Sequence, residues 1–400
     1  MKLTIVVPTY WARAASVGWR EGDLVFDHPT SLDGPDTLGR FLRSLAVLDD
    51  TDFDLALVVV PTTPEIEDEM VSRVGGIIRD EFPDSLHSPR ILTSASLGRI
   101  GSRLADEAGR YSAFLNLSGY AHVRNGCLLA AGLLEADAVV LIDDDEVFED
   151  PAFLQKVRDG LEREHDGKKV SALAGYYLNP DGEYLLKKPL PEWGSRWPKY
   201  SVMDSAFMEY IGRPPRYKQT PFAFGGNLTL RRDLYSKLPF DTRVTRGEDL
   251  DYLMMAKMSG IPTILDNELA IKHLAPPKSH PQWQQMRQDV IRFSYQRSKI
   301  RAASVGGLRK LRPEDLDPYP GFFLRDDLDD RIGDTCRLLA EHYRVRGNEA
   351  GAEEAARNIE IAREAEDPGA LEFFLDLAEN WRSLMAALEA SDCADLMESL

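Results

Sequence analysis

Unbroken apolar, β-branched runs recur through the first 145 residues: LTIVV at 3–7, LALVVV at 55–60 and AVVLI at 138–142, with a weaker RILT at 90–93. A strand with one face in water alternates apolar and polar residues. These runs do not alternate, so they suit strands covered on both faces, as in a parallel sheet between helices. The intervening stretches repeat with a helical period. Residues 37–48 put Leu38, Phe41, Leu42 and Leu45 on one face, and residues 122–134 do so with Val123, Cys127, Leu128, Ala131 and Leu134. A doubly wound α/β unit is expected, with ligands taken at the carboxyl ends of its strands.

The chain divides into three. Residues 1–145 form the alternating half. Residues 146–320 are more irregular, rich in Pro, Trp, Tyr and basic residues, with strand-like pieces at 170–178, 228–230, 261–265 and 269–273. Residues 321–400 read as an acidic helical extension. The net charge of −18 argues against a general nucleic-acid partner. It is unevenly spread: residues 314–400 hold 23 acidic against 8 basic side chains, residues 187–246 hold 5 against 12, and residues 287–312 hold 1 against 8. A basic middle in an acidic protein points to a handled anion, or to arginines that pair with the acidic tail. No run is long enough for an integral membrane segment, no secretory leader is evident, and the three widely spaced cysteines (Cys127, Cys336, Cys393) suit a reducing compartment. The expectation is a cytoplasmic enzyme, with self-association as a homodimer through the acidic helices.

Three motifs carry chemistry. Asp143, Asp144 and Asp145 follow the strand AVVLI directly. Consecutive carboxylates repel, and a cation makes their crowding tolerable. An Asp-x-Asp at a strand's carboxyl end can hold Mg2+ or Mn2+ against the oxygens of a diphosphate. The second motif is Glu248-Asp249, opening a helix that Gly260 ends, about 20 residues after Gly225-Gly226-Asn227. A carboxylate there is favoured by the helix dipole and can take a proton from a hydroxyl, although simple capping would look the same. The third is His273, at a strand end, where imidazole suits Mn2+ beside carboxylates.

The order VVPTY, GYAHVRNGCLLAAGLLEADAVVLIDDD, then FGGNLTLRRDLYSKLPFDTRVTRGEDLDYLMMAKMSG resembles a family 2 glycosyltransferase of the GT-A fold, across residues 1–275. The resemblance implies a GT-A doubly wound mixed sheet with a C-terminal helical extension. It implies Pro8, Thr9 and Tyr10 in the nucleotide pocket, and Arg124 and Asn125 near base or ribose. Asp143 and Asp144 would lie at the ribose or metal-bound water, with Asp145 as direct metal ligand, Asp143 beside it, and His273 as third metal-site residue. Gly225, Gly226 and Asn227 would lie beneath donor sugar and acceptor. Asp249, paired with Glu248, would be the general base of an inverting enzyme. The activity implied is metal-dependent transfer of a hexose from a UDP- or GDP-sugar to the hydroxyl of a sugar, polyol or small anionic acceptor. A sugar-phosphate nucleotidyltransferase is the alternative, opposed by Pro8-Thr9-Tyr10-Trp11 where a Gly-rich phosphate loop would stand. A carbohydrate- or nucleotide-binding protein of this fold without turnover is the other.

Two departures stand out. The second strand ends Val60-Pro61-Thr62-Thr63 rather than in an Asp-rich turn, and about 20 extra residues (14–36) follow the first strand. The latter read as a lid or an acceptor-shaping loop. The stretch 193–218, with its Trp, Tyr, Arg213 and Arg216, reads as an acceptor site that grips an anion, or else as packing.

Overall fold

The computed structural model describes residues 1–104, 108–276, 280–302, 306–391 and 394–399. Cys393 lies outside them, and Cys127 and Cys336 are buried free thiols. Among the described residues the sheet has eleven strands, and seven form its body: β1 (Leu3–Ala12), β2 (Phe53–Pro61), β3 (Arg90–Leu92), β4 (Ala138–Leu141), β5 (Ala172–Leu178), β6 (Leu228–Arg231) and β7 (Thr263–His273). Their order is β3-β2-β1-β4-β6-β5-β7, with short strands at 217–219 and 398–399 on the two edges. β6 is antiparallel to both neighbours and the other pairings among the seven are parallel. The doubly wound mixed α/β sheet and the helical extension expected from the sequence are both present.

Successive side chains of the apolar strands feed opposite cores. Ile5, Val7, Leu55, Leu57, Val59 and Val140 join one cluster, while Val6, Ala56, Val58, Val60, Val139 and Leu141 join the other. Each such side chain stabilises the fold by about 1.5–3 kcal/mol when fully buried. The first cluster is covered by α1 (Leu38–Ser44), α2 (Glu67–Glu81) and α5 (Phe153–Glu162). The second is covered by α3 (Ser94–Arg103), α4 (Tyr120–Leu133), α6 (Lys199–Tyr210), α7 (Glu248–Met258) and α8 (Gln282–Arg301).

The acidic extension forms α9 (Leu328–Val345), α10 (Glu349–Glu364) and α11 (Ala370–Ser391). Phe374, Leu377, Trp381, Leu384 and Met385 of α11 belong to the second core, and Trp381 donates its indole N–H to the Tyr235 carbonyl at 2.8 Å. The basic stretch 287–312 meets the acidic tail. Arg287 pairs with Glu354 at 2.6 Å, Arg297 with Asp329 at 2.5 Å and with Glu366, and Arg301 with Asp326 at 3.0 Å. Among the described residues no helix is long and apolar enough to cross a membrane.

Candidate active site

Where β4 ends, the three aspartates take three different partners, which lessens their mutual repulsion without removing it. Asp143 turns to Arg124 of α4, with Oδ1 2.9 Å from Nη1 and Oδ2 accepting from Nη2 at 3.1 Å. Asp144 turns toward the carboxyl end of β1, where Thr9 donates to it at 2.7 Å and Trp11 donates to Thr9 at 3.0 Å. Burial, followed by the charge of Asp145, pushes the Asp144 carboxyl up to about 8. Asp145 meets His273 at the end of β7, Oδ2 to Nε2 at 3.3 Å. Burial alone would raise its carboxyl, but the hydrogen bond and charge of His273 hold it below the ordinary range. The strand's length is what brings them together, because β7 also pairs at Lys272 and His273 with Val147 and Glu146.

Glu146, the fourth acid in this run, is wholly buried. It accepts from the Asp143 N–H at 3.0 Å and bonds to Tyr177. Burial, then the charges of Asp143 and Asp145, raise its carboxyl well above the usual range. Tyr177 in turn accepts from the Gly226 N–H at 2.8 Å and packs between Phe224 and His273, ring centroids 4.5 and 4.7 Å away. The glycine is required here. A Cβ on Gly226 would stand 2.2 Å from Glu146 Oε1 and 2.7 Å from Asp143 Oδ2.

Gly225 donates its N–H to Asp249 Oδ2 at 3.1 Å, and the Leu250 N–H donates to Asp249 Oδ1 at 2.8 Å. Burial, then the neighbouring charge of Glu248, pushes the Asp249 carboxyl up to about 6. Glu248 itself lies 3.5 Å from Arg124 Nε, so Arg124 joins the Asp143 loop to the start of α7. Gly247, at φ 72°, makes the turn into that helix, and a Cβ there would meet Arg292 Nη1 at 2.7 Å.

Arg124, Asp143, Asp145, Gly225, Gly226, Glu248, Asp249 and His273 are therefore gathered at one end of the sheet. Tyr10 borders them through Tyr120, the residue that opens α4, at 5.7 Å between ring centroids. Two of the amide side chains expected here are engaged in the framework instead. Asn125 exchanges hydrogen bonds with the Phe240 backbone at 2.9 and 2.8 Å, and Asn227 donates to the carbonyls of Tyr176 and Leu269 at 3.1 and 3.0 Å. Pro8 sits within β1 opposite Val58. Glu146 is not among the residues expected from the sequence, although its place as a fourth acid directly after Asp143–Asp145 is a signal that could have found it; nothing in the local sequence marks Tyr177 or Arg292, which come from β5 and α8.

The extra segment 14–36 is folded against this end of the sheet. Its Leu24 N–H bonds the Thr62 carbonyl at 2.8 Å, and Phe26 packs on Tyr10 and Tyr120 with centroids 4.5 and 5.2 Å away. Asp27 pairs with Arg246, next to the α7 turn, and lies 3.8 Å from His280. The acceptor stretch expected at 193–218 is corrected in part. Arg216 is engaged by Asp266 at 2.8 Å and Glu268 at 2.9 Å. Asp266 lies in the bulge that interrupts β7 between Leu265 and Ala270, away from His273 at the strand's end, so Arg216 is held at that bulge rather than among the gathered residues. Trp197 is core, packed on Phe293 and Phe323. Lys199, by contrast, reaches Asp289 of α8 at 2.9 Å.

A divalent cation fits the site in one place. Asp145 and His273 converge with a hard oxygen and an imidazole nitrogen, while Asp143 is committed to Arg124. Among the described residues no group of three or more acidic, His or Cys side chains gathers to hold a metal. Two protein ligands, with the remaining positions left to diphosphate oxygens and water, is a normal arrangement for Mg2+ or Mn2+ at a nucleotide.

No family model matches the sequence, and no curated protein matches it. Among solved structures the chain is similar to the mannosyltransferase PcManGT from Pyrobaculum calidifontis, in complex with GDP-Man and Mn2+. The identity is 16%, covering 97% of this chain and 85% of that one, with a TM-score of 0.45. It is also similar to glucosyl-3-phosphoglycerate synthase from Mycobacterium tuberculosis in complex with Mn2+, UDP-glucose and phosphoglyceric acid. There the identity is 12%, covering 69% of this chain and 72% of that one, with a TM-score of 0.31.

Proposed function

We propose that the chain is a GT-A glycosyltransferase, family 2-like, moving a hexose from a nucleoside-diphosphate sugar to an acceptor hydroxyl. The observation that carries this reading is the convergence, at the carboxyl end of the parallel strands, of the Asp145–His273 pair with the Asp249 carboxylate. The two are joined through a loop of paired glycines. Asp145 and His273 would hold Mg2+ or Mn2+, which when bound offsets the charge developing on the departing diphosphate. Asp249 faces that loop with an ionisation near neutrality, so it can accept the acceptor's proton as the new glycosidic bond forms. Arg124 holds Asp143 and Glu248 and so keeps the metal loop and the base in register. Gly226 lets the glycine loop pack directly on the carboxylates of Glu146 and Asp143, which fixes that loop beside the aspartate run.

A thermal-shift panel of UDP, GDP, CDP and dTDP, with and without Mn2+, tests the reading on wild type and Asp145→Asn. A ligand that binds only the native state raises Tm by mass action. Metal-dependent stabilisation by one diphosphate, lost in the variant, is expected. Absence of any shift would sink the donor assignment.

A further inference from the structure

Gly225 and Gly226 are the central residues of a turn that the Asn227 N–H closes on the Phe224 carbonyl at 2.9 Å. Their amides leave the turn toward different partners. The Gly225 N–H goes to Asp249 Oδ2 at 3.1 Å, and the Gly226 N–H goes to Tyr177 Oη at 2.8 Å. A closed turn of four residues moves largely as a unit, since each central residue has only two soft dihedrals and the hydrogen bond ties both ends. Whatever seats Tyr177 therefore bears on the seat of Asp249.

Tyr177 is in turn set by the other half of the site. It lies on β5 and pairs with Ile271, two residues before His273 on β7. Its ring packs on the His273 imidazole with centroids 4.7 Å apart and 36° between planes. The Phe224 ring, from the first residue of the glycine turn, packs on it at 4.5 Å and 43°. Both spacings are those of favourable aromatic pairs. The Tyr177 hydroxyl accepts from Gly226 and donates to Glu146, which also accepts the Asp143 N–H at 3.0 Å. One side chain thus touches His273, the glycine turn and, through Glu146, the aspartate run.

We infer that Tyr177 is a positioning residue that couples the Asp145–His273 pair to the Asp249 carboxylate. Its ring fixes the imidazole, and its hydroxyl fixes the turn on which the base is seated. Coupling of this kind is reciprocal: a cation settled on Asp145 and His273 steadies the glycine turn, and a steadied turn strengthens the hold on the cation. That the pair holds a cation rests on the glycosyl-transfer reading; that Tyr177 ties His273 to the turn rests on the contacts alone.

Two variants divide the ring from the hydroxyl. Tyr177→Phe keeps the stack on His273 and removes both hydroxyl contacts, whereas Tyr177→Leu removes the ring as well. Two measurements on the full chain read them without turnover. One is Mn2+ affinity, by paramagnetic-resonance titration with UDP, GDP, CDP or dTDP present. The other is amide hydrogen exchange at Gly225 and Gly226, with and without Mn2+. In wild type, Mn2+ is expected to slow exchange at both amides. In Tyr177→Phe, exchange at Gly225 should rise roughly two- to ten-fold, as loss of one neutral hydrogen bond implies, and its response to Mn2+ should disappear. Gly225 decides the matter, because Tyr177 does not touch its amide and a merely local role would leave it unmoved. Mn2+ affinity should fall by no more than that factor in Tyr177→Phe, but by about 10–100-fold in Tyr177→Leu, the usual cost of losing a residue that orients a metal-binding histidine. Either of two results overturns the inference: wild-type exchange and Mn2+ response at Gly225 in Tyr177→Phe, or wild-type Mn2+ affinity in Tyr177→Leu. Should Tyr177→Leu not fold, the Phe variant decides alone through Gly225. Should wild type bind no Mn2+ with any diphosphate, the transferase reading fails separately, and metal-free exchange at Gly225 in Tyr177→Phe still decides whether Tyr177 seats the turn.

Discussion

Asp249 offers the sharpest test at the level of a single residue. Its carboxyl, raised to about 6, must be ionised to accept a proton, so transfer is expected to rise with pH through about 6 and then level off. Asp249→Asn should lower kcat by roughly 10²–10⁴-fold, the ordinary contribution of a general base, and should abolish that pH limb. The sign for stability is opposite. A carboxyl whose folded-state value lies above its unfolded value is penalised when ionised, so at pH 8 the neutral amide should not lower Tm. A pH–rate profile of both proteins, with Tm measured at pH 8, checks the pair of claims; a variant that loses activity only by losing Tm would refute them. Gly226 makes a second prediction. Gly226→Ala would drive a methyl group against Glu146 and Asp143, so diphosphate binding and Tm should both fall, whereas Gly76→Ala, with open space at its Cβ inside α2, should leave binding unchanged and raise Tm slightly. The types of these residues were legible in the sequence, since acids crowded after a buried strand and glycines before an acidic helix start are unusual. Their partners were not. Asn125 and Asn227 look like ligand groups in the chain, yet serve the Phe240 backbone and the β7 bulge, because the contacts that engage them lie 42 or more residues away.

Elements show the same division between what is local and what is not. The strands β1, β2 and β4 announce themselves because burial on both faces leaves few polar positions along them, Thr4, Thr9 and Asp54 among them. Helix α8 does not, since its polar side chains are mostly directed inward. Arg292, Arg297 and Lys299 are all buried on it, and a helix rich in inward charge has no apolar stripe to read. Lys299 is wholly buried between Asp241 and Asp251, the latter 2.7 Å away, and so ties α8 to the α7 turn and to α7 itself. This explains Asp251 of the Glu-Asp-Leu-Asp run as framework rather than chemistry. Lys299→Met would leave two buried carboxylates without a counter-charge, and removal of one partner of such a set costs about 3–5 kcal/mol. Urea unfolding should record that loss, while the triple change Lys299→Met, Asp241→Asn, Asp251→Asn should recover part of it. A single variant as stable as wild type would show that the pair is not desolvated as described.

At the scale of the whole molecule, both basic stretches find most of their counter-charges within the chain. The 287–312 surplus is answered largely within the chain by Glu354, Asp329, Glu366 and Asp326, so it is a device for seating the tail. The 187–246 surplus is likewise answered within the chain, by Asp289 at Lys199, Asp266 and Glu268 at Arg216, Glu389 at Arg232, Asp367 at Arg243 and Asp27 at Arg246. The tail, moreover, is more than a charged counterpart. Trp381 is wholly buried against Phe114 and the Tyr235 carbonyl, and Met385 approaches Gly132 of α4 so closely that a Cβ there would lie 2.6 Å from its Cε. The acidic composition of 321–400 concealed this, because its apolar residues recur at helical spacing among many acids, and nothing local shows that the stripe faces the sheet's own helix layer. Removal of α11 would therefore uncover a core face rather than release an independent module. Trp381→Ala is expected to cost about 3–5 kcal/mol, the range for truncating a large buried aromatic. It should also reduce binding of the stabilising diphosphate only as far as the unfolded fraction rises, since α4 links Trp381's layer to Arg124 without placing Trp381 at the site. Chemical denaturation followed by diphosphate titration under conditions where both proteins are folded separates the two effects. Equal stability would mean that α11 is merely apposed to the domain, and the tail would then be the place to look for a partner chain.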